Sequence, residues 1–570
     1  MLDSATKKPP SRGGKRVKTG CKTCKIRRVK CDESRPSCHR CVSTGRICDG
    51  YGVWGGGGTP YGQPQPPRAL SSYCTPVPAG SLTSKEQISF EWFMEKTTKK
   101  FAGFFSSDFW ETLVFQASAR EPAVRHAVVA LAAAHRFDGE YSPYTSPATS
   151  CFDSERFTLQ QYNKAIRHLR VGTGASKHAL HVTLITCMLF VTLEYLRGQY
   201  KMGSAHLRSG IQILSHISAP KERLAMSPSI LSPAEDFAHN ALIDSYARLT
   251  IQSAMFGHLP AHLCVVTRDL QANALPDEFS SIVDARQSLD DLLNRAHYLQ
   301  RQLHILLTHS TSKTPYIELE FFETRRQILT DLALWRKASN ATLTRLKTEN
   351  ASFRATQRYS LLDTYYEMTV IMATVCLPSA GEMSFDAHTA NFTTIIRQFH
   401  DMWTSWARLN NGTRELSQLL HESQRDRHSF TVESGFIPPV YYTALKCRVP
   451  RLRRVAIRML RSVPHREGLW DGPLLADVLE EVIRIEEGGL SVEDCAGEYF
   501  FDGNLGGPSV DPLSRIVDVS VHLPERIDGD AFMTYRKQVG EGLWEEFKQG
   551  VRPGVLRGRI NLATMKCTDM

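Results

Sequence analysis

Six of the 14 cysteines in this 570-residue chain are crowded into one short segment with a regular spacing. They form the pattern Cys-x2-Cys-x6-Cys twice, and the second copy is offset from the first by 17 residues. The positions are Cys21, Cys24, Cys31, Cys38, Cys41 and Cys48. A Cys-x2-Cys pair places two thiolates where both can bind one metal ion, and the third cysteine supplies a third ligand. Tetrahedral zinc needs four ligands, so two zinc ions that share two of the six sulfurs would both be satisfied.

Two other uses of crowded cysteines are less favoured by the sequence. A disulfide framework is typical of secreted domains, and the N-terminal sequence lacks the apolar core of a secretory signal. A metal-storage or redox patch would not require basic residues concentrated in one half of the repeat. The cysteine pattern therefore favours a structural metal site in an intracellular protein.

The two halves of the repeat differ in charge. Between its cysteines the first half carries five basic residues, whereas the second half carries Arg40 and Arg46. The five are Lys22, Lys25, Arg27, Arg28 and Lys30. We therefore predict that the first half faces DNA and that the second half supports it.

The residues from Gly20 to Cys38, read as GCKTCKIRRVKCDESRPSC, resemble the Zn2Cys6 binuclear-cluster transcription factors of fungi, and the spacing of all six cysteines fits that family. The resemblance implies two Zn2+ ions as cofactors. It also implies that Cys21 and Cys38 bridge the two ions, with Cys24 and Cys31 on one and Cys41 and Cys48 on the other. Pro36 matches the loop proline of the family.

The same resemblance implies that double-stranded DNA is the partner and that a short CGG-like triplet is read in the major groove. By motif position Arg27 and Arg28 would contact bases, and Lys25 and Lys30 would contact phosphates. An arginine fork can donate two hydrogen bonds to one guanine, whereas nearby lysines add attraction that is independent of sequence.

The chain as a whole has the composition of a globular protein, with 42% hydrophobic and 22% charged residues and a net charge of +10. Residues 1–50 carry this entire surplus. We predict a disordered basic arm at 1–20, the Zn2Cys6 DNA-binding domain at 21–48 and a flexible Gly/Pro-rich linker at 49–84. Two basic clusters in the arm resemble a bipartite nuclear import signal, so the nucleus is the expected location; a solvated tail that touches phosphates is the compatible alternative.

Residues 85–570 are predicted to form an all-α regulatory domain, so the fold class is a small Zn2Cys6 module plus a large, mainly α-helical domain. Apolar residues recur at helical spacing, and Arg197-Gly198-Gln199 separates two segments expected to form a helical hairpin. Strand-like alternation is confined to stretches such as 516–523. The longest apolar stretch, about 182–193, is shorter than the roughly 20 residues of a membrane span, and no membrane partner is expected.

The region from about 85 to 550 resembles the helical fungal-specific regulatory domain that accompanies such clusters. The stretches that carry the resemblance are Leu193–Gly198, His206–Gly210, Phe436–Pro439, Ala444–Arg448 and Arg466–Asp471. This implies regulation or partner binding rather than catalysis. The chain also lacks a P-loop, a Gly-x-Ser-x-Gly elbow, a Rossmann glycine fingerprint and a His-Glu-x-x-His motif, so we predict that it is not an enzyme. The pairs His178/His181 and His421/His428 are expected to be hydrogen-bonded or solvated rather than metal ligands.

Two charged runs in the body allow two interpretations each. The basic run at 446–461 is expected to be a solvated helix face and could alternatively be a second nucleic-acid surface. The acidic run at 480–494 is expected to be an amphipathic helix with its following loop and could alternatively be an acidic activation segment.

The sequence thus predicts a nuclear, zinc-dependent, sequence-specific transcription factor acting on RNA polymerase II genes. Because one small module buries little surface, a second module is expected through a homodimer or a partner regulator that binds the helical body. Two alternatives are a DNA-tethered cofactor scaffold and a metabolite sensor, the latter requiring a deep apolar pocket.

Overall fold

The structure is a computed structural model of the full chain. It describes residues 21, 23–24, 27, 29–34, 38–44, 46, 48, 82–105, 107–140, 148–171, 176–217, 233–256, 275–309, 315–349, 353–377, 381–411, 429–462, 465–488, 506–507, 509–525, 530–540, 543–552 and 555–561. The predicted arm at 1–20, Pro36 and nearly all of the predicted linker at 49–84 lie outside these residues.

The chain divides into two compact units, residues 1–72 and residues 73–570. The first unit, here called the cysteine module, has a core formed by cysteine side chains with Val29 packed against them. Its helix α1 (His39–Val42) begins directly after Cys38, whose sulfur accepts the backbone N–H of Cys41. Among the described residues of the module, Val29 is the one side chain other than cysteine in this core, so the compactness of the module depends on what binds the sulfurs.

The second unit, here called the body, is largely helical, as the sequence predicts. Its helices are α2 (Ser84–Trp92), α3 (Thr98–Phe101), α4 (Val114–Arg120), α5 (Pro122–Glu140), α6 (Ala148–Val171), α7 (Lys177–Leu196), α8 (Tyr200–Ile217), α9 (Pro233–Met255), α10 (Ile282–His309), α11 (Pro315–Thr348), α12 (Phe353–Val375), α13 (Thr389–Asn411), α14 (Ile437–Lys446), α15 (Pro450–Ser462) and α16 (Gly472–Glu487). The first begins with a capping box, in which Thr83 and Glu86 each bind the other's backbone N–H.

Two apolar clusters hold the body together. The larger one joins α5, α7, α9 and α14 to α16, and the smaller one joins α10, α11 and α12. Trp335 of α11 is fully buried in the smaller cluster, and its indole Nε1 donates to the carbonyl of Ala285 at 2.9 Å. The helical periodicity in the sequence therefore corresponds to faces that pack inward.

The helical hairpin predicted around Arg197-Gly198-Gln199 is confirmed, since α7 and α8 pack against each other on either side of this turn. Gly198 has a φ of 71°, which the left-handed end of α7 requires. Helix α7 is also long and apolar enough to cross a membrane, but 72% of its apolar window is buried inside the body. Its apolar composition is therefore that of a helix in the core of the body.

The prediction of an all-α body is wrong, because two small sheets lie in its C-terminal part. Strands β1 (Ser429–Thr431), β2 (His465–Glu467) and β3 (Trp470–Asp471) form a mixed sheet in that order. Strands β4 (Ile516–His522), β5 (Ala531–Gly540), β6 (Leu543–Arg552) and β7 (Val555–Asn561) form an antiparallel sheet in that order. Only the strand-like stretch near 516–523 was predicted. In β6, the buried Phe547 and Val551 are four residues apart, a spacing that fits a helix as well as a strand.

Candidate metal centre and nucleic-acid interface

The cysteine module brings the sulfurs of the two repeats into close contact. The Sγ atom of Cys38 is 3.6 Å from that of Cys21 and 3.7 Å from that of Cys24, and the Sγ atoms of Cys21 and Cys41 are 3.8 Å apart. Four sulfurs around one zinc ion at about 2.3 Å would be about 3.8 Å from one another. The sulfur separations therefore fit tetrahedral zinc coordination.

The six sulfurs form two groups of four. One group is Cys21, Cys24, Cys31 and Cys38, and the other is Cys21, Cys38, Cys41 and Cys48; within each group the sulfurs lie within 4.8 Å of one another. Cys21 and Cys38 belong to both groups. This is the arrangement needed for six ligands to fill eight positions around two ions.

The two halves of the module have matching local structure. The backbone N–H of Cys21 donates to the sulfur of Cys31 at 3.4 Å, and that of Cys38 donates to the sulfur of Cys48 at 3.4 Å. The N–H of Val29 bonds the carbonyl of Cys24 at 3.1 Å, and the N–H of Arg46 bonds that of Cys41 at 3.0 Å. Each pair differs by the 17-residue offset of the sequence repeat. The sulfur contacts between the halves are exchanged in the same way, since Cys24 lies 3.7 Å from Cys38 and Cys41 lies 3.8 Å from Cys21. The halves are therefore related by an approximate twofold axis that passes between Cys21 and Cys38.

Burial makes these thiols poor acids in the absence of a cation. It raises the pKa of the Cys21 thiol to about 12, and it also raises the pKa of Cys24 and Cys38. Zinc binds the thiolate, so the ion would displace these protons and neutralise the charge that burial disfavours. The donor set consequently suits a soft divalent cation, and zinc is the one that prefers four sulfurs in a tetrahedron.

Asp32 holds the two halves together, and the sequence did not single it out. Its carboxylate accepts the N–H of His39 at 2.8 Å and that of Arg40 at 2.9 Å, and it also bonds the hydroxyl of Ser34. These bonds keep the pKa of Asp32 below its ordinary value, with the Ser34 bond as the largest cause. In the sequence, Asp32 can be recognised as an acidic residue that precedes a helix. The first N–H groups of a helix have no acceptor within the helix, and a carboxylate can bind them.

The predicted DNA-contacting residues are only partly within the described residues. Arg27 is half-buried and Lys30 is exposed, whereas Lys22, Lys25 and Arg28 lie outside the described set. The N–H of Arg27 bonds the carbonyl of Thr23 at 3.1 Å, so Arg27 lies at the end of a helical turn that begins at the first cysteine pair. The guanidinium Nη1 of Arg27 donates to Oγ1 of Thr44 in the second half at 3.3 Å.

Three arginines of the basic run in the body are buried rather than at the surface. Arg448, Arg453 and Arg454 are buried, and Arg453 Nη1 lies 2.8 Å from Glu486 Oε2. Arg454 Nη2 lies 2.7 Å from Glu487 Oε2. The prediction of a solvated face is wrong for these three arginines, because the acidic helix α16 packs against α15 and supplies their partners.

The acidic run is an amphipathic helix over its described part, as expected. Asp471 caps the N-terminus of α16 by accepting the N–H of Leu474 at 3.0 Å, and Gly488 ends the helix with a φ of 73°. Glu481 and Glu486 are buried. The remaining acidic residues of the run, Glu493 and Asp494, lie outside the described residues.

The histidines considered as ligands have ordinary surroundings where they are described. His178 Nε2 lies 2.9 Å from Glu121 Oε1, and His181 has its ring 5.8 Å from that of His239. His421 and His428 lie outside the described residues. Among the residues that the structure describes, the groups of sulfur, nitrogen and carboxylate ligands close enough to hold a metal are the two cysteine groups.

Two depressions in the described part of the body differ in shape and size. An enclosed cavity beside Trp110, Met188 and Arg248 has a volume of about 10 Å³, which is room for one water molecule at most. A second depression along α6, next to Leu159, is an open surface groove. Neither of these two depressions is the deep apolar pocket that the metabolite-sensor alternative requires.

The site and fold thus define a protein with a six-cysteine metal centre and a large, mainly helical body. Residues 19–53 match the fungal Zn(2)-Cys(6) binuclear cluster domain, and residues 90–378, just over half of the chain, match the fungal specific transcription factor domain. The chain belongs to the fungal Zn2Cys6 transcription regulators that carry this second domain. The cluster domain implies two zinc ions and a DNA partner, and members of the family are typically nuclear.

Several regulators are similar in sequence. The aspercryptin biosynthesis cluster-specific transcription regulator atnN of Emericella nidulans is 25% identical, over 87% of this chain and 91% of that protein. The transcription regulator lscL of Purpureocillium lilacinum is 27% identical over 42% of this chain and 56% of its own length. The transcriptional regulatory protein moc3 of Schizosaccharomyces pombe is 54% identical over 46 residues, 8% of each chain. No solved structure matches this chain.

Proposed function

We propose that this protein is a nuclear, sequence-specific regulator of RNA polymerase II transcription that reads a CGG-like triplet through the first half of its cysteine module. The observation that carries the proposal is the pair of four-sulfur groups sharing Cys21 and Cys38, next to a half that is rich in lysine and arginine. In this proposal Cys24 and Cys31 complete one zinc site, and Cys41 and Cys48 complete the other.

Two zinc ions would supply the structural energy that the module's small apolar core lacks. Two Zn2+ and six thiolates carry a net charge of −2, so the basic surplus of residues 1–50 still leaves the module positive. Arg27 and Arg28 would contact base edges, and Lys22, Lys25 and Lys30 would contact phosphates. This division would give the module both a preferred triplet and a strong dependence on salt.

The body is proposed to regulate rather than to catalyse. The relative atnN, which matches over 87% of this chain, is named as a transcription regulator, and this supports a regulatory role for the whole architecture. Contact with a second DNA-binding module, through a homodimer or a partner regulator, would extend the short site that one module can read.

The test is selection of the zinc-loaded, full-length protein on a randomised duplex library, at two salt concentrations, with and without a zinc chelator. We expect chelator-sensitive enrichment of a CGG-like triplet. Arg28→Ala should remove about 1–3 kcal/mol of discrimination at one base pair. Arg46→Ala is the matched control, because it removes the same charge from the second half and should weaken binding evenly across sequences. Binding that depends on salt but enriches no sequence would overturn the proposal.

A further inference from the structure

The contact between Arg27 and Thr44 lies at a special place in the cysteine module. The two residues are 17 positions apart, so they occupy equivalent places in the two halves. Residues related by a twofold axis lie at equal distances on opposite sides of it, so a contact between them is close to the axis. The side-chain hydrogen bond from Arg27 Nη1 to Thr44 Oγ1, 3.3 Å long, therefore joins the halves near the axis that also passes between Cys21 and Cys38.

The hydroxyl of Thr44 is itself oriented as an acceptor. It donates to the carbonyl of Arg40 at 2.9 Å and lies 3.1 Å from that of Cys41. A hydroxyl has one hydrogen and two lone pairs, so donation to the backbone leaves its lone pairs directed away from α1. Arg27 binds one of them, and the direction of its guanidinium is thereby determined by the second half of the module.

The bond to Thr44 occupies only part of the guanidinium. Arginine has five N–H donors in a rigid plane, and the described contact uses one nitrogen, Nη1. Within the part of the module that the structure describes, Nε and Nη2 have no hydrogen-bond partner and can donate to another acceptor. A side chain already held in one orientation loses less conformational entropy when it binds a ligand, so the contact prepares Arg27 for binding.

We propose that Thr44 is a positioning residue for DNA recognition, which acts by orienting the Arg27 guanidinium toward the base that it contacts. This rests on the proposed function. The second half of the module, which carries few basic residues, would then contribute to sequence preference through a neutral side chain.

The experiment uses zinc-loaded, full-length protein and the duplex enriched by the wild-type chain. We expect Thr44→Ala to retain two zinc ions per chain and the salt dependence of the wild type. It should lose about three- to tenfold in affinity for that duplex, the equivalent of freeing one long side chain, and relax the preference at one base pair. Thr44→Ser should restore both, because it keeps the hydroxyl. Ser43→Ala, which changes the neighbouring exposed residue, should match the wild type.

A double-mutant cycle tests whether Thr44 acts through Arg27. If it does, Arg27→Ala/Thr44→Ala should bind as weakly as Arg27→Ala alone. Additive losses would overturn the proposal, as would an unchanged base preference in Thr44→Ala. Loss of zinc from Thr44→Ala would also overturn it, by showing that the residue is needed for folding only. If the wild-type chain itself enriches no sequence, the proposed function has failed first, and this result is distinct from a failure of Thr44 alone.

Discussion

Some residues of this protein have structural roles that cannot be inferred from their residue type. Asp32 is exposed, yet its carboxylate bonds two backbone N–H groups across the module. The next residue, Glu33, has a left-handed backbone with a φ of 59°, which turns the chain so that Asp32 can reach α1. Metal-ligand spacing therefore explains the cysteines, whereas the orientation of the halves also depends on polar contacts.

His135 illustrates a buried titratable group in the body. It lies 6% exposed in the packing of α2, α3 and α5, and its Nδ1 is 2.9 Å from the hydroxyl of Thr97. Burial lowers the pKa of His135 to about 4, with a smaller contribution from the charge of Lys100. The neutral imidazole is therefore the form that the folded body accommodates.

This pKa gives the first prediction at the residue scale. Between pH 6.5 and 4 the unfolded chain protonates His135 and the folded body does not, so this residue's contribution to stability is complete above pH 6.5 and is lost as the pH falls. From pH 7 to 5 we expect the loss to be about 2 kcal/mol. The measurement is urea unfolding at both pH values for the wild type and for His135→Gln. Glutamine cannot titrate, so the free energy of unfolding of this variant should decrease less between pH 7 and 5.

The control for this prediction is His178→Gln, which changes a histidine whose side chain is 72% exposed. It should show the wild-type pH dependence. Identical pH dependence in all three proteins would show that His135 is not protonated on unfolding in this range.

At the scale of elements, the basic helix α15 and the acidic helix α16 form ion pairs with each other. Arg453 is fully buried, and its Nε donates to the carbonyl of Ala444 at 2.9 Å while Nη1 lies 2.8 Å from Glu486. Glu486 also accepts the N–H of Ile516 at 3.0 Å and so connects these helices to β4. The buried charges thus fix the register of α15, α16 and the antiparallel sheet.

The second prediction concerns this buried pair. Arg453→Met should destabilise the body by about 1–3 kcal/mol, because Glu486 loses one of its two buried guanidinium partners and keeps Arg448, whose Nη2 lies 2.8 Å from Oε1. Arg461→Met on the same helix should cost about 1 kcal/mol or less, since Arg461 is 44% exposed. Urea unfolding followed by circular dichroism compares the two variants. An equal decrease in the free energy of unfolding in the two variants would show that a buried arginine stabilises the body no more than an exposed one.

Three of the stretches that resemble the fungal regulatory domain meet at strand β2. Arg466 donates to the carbonyl of Leu196 at 3.2 Å, at the C-terminus of α7. Glu467 accepts the N–H groups of Gly435, Phe436 and Ile437 at 2.7, 2.9 and 3.2 Å, at the N-terminus of α14. Arg466 and Glu467, which are adjacent in β2, thus form hydrogen bonds with a backbone carbonyl at the end of α7 and with backbone N–H groups at the start of α14.

Gly435 is required by the same contact. A Cβ atom at this position would lie 2.5 Å from Glu467 Oε1, so a larger residue would displace the carboxylate. The contact of Glu467 with this backbone therefore requires glycine at position 435.

At the scale of the whole molecule, the two units are stabilised by different chemistry. The core of the cysteine module consists of cysteine side chains, whereas the body is stabilised by two large apolar clusters. Metal binding and the packing of the body should accordingly respond to different treatments.

The third prediction follows from this difference. A zinc chelator should abolish DNA binding by the full-length protein and leave the helical circular dichroism and the thermal midpoint of the body within about 2 °C of the untreated protein. Re-addition of zinc should restore DNA binding. Partial unfolding of the body on chelation would contradict the prediction, because it would mean that the body also depends on metal.

The sequence by itself determined the metal chemistry and the helical character of the body. Cysteine spacing is local information, so the spacing alone predicts two groups of ligands that share two of the six sulfurs. Helical periodicity is local as well, and it indicated the hairpin of α7 and α8. Both depend on residues that are close together in the chain.

The tertiary structure decided the features that depend on distant residues. The buried partners of Arg453, the sheet formed by β4 to β7 and the place of Arg27 near the axis of the module all join segments whose pairing no local pattern specifies. A run of arginines looks the same in sequence whether solvent or a glutamate helix lies opposite it. Only the packing of α15 against α16 distinguishes the two, because the energy of a charge depends on what surrounds it.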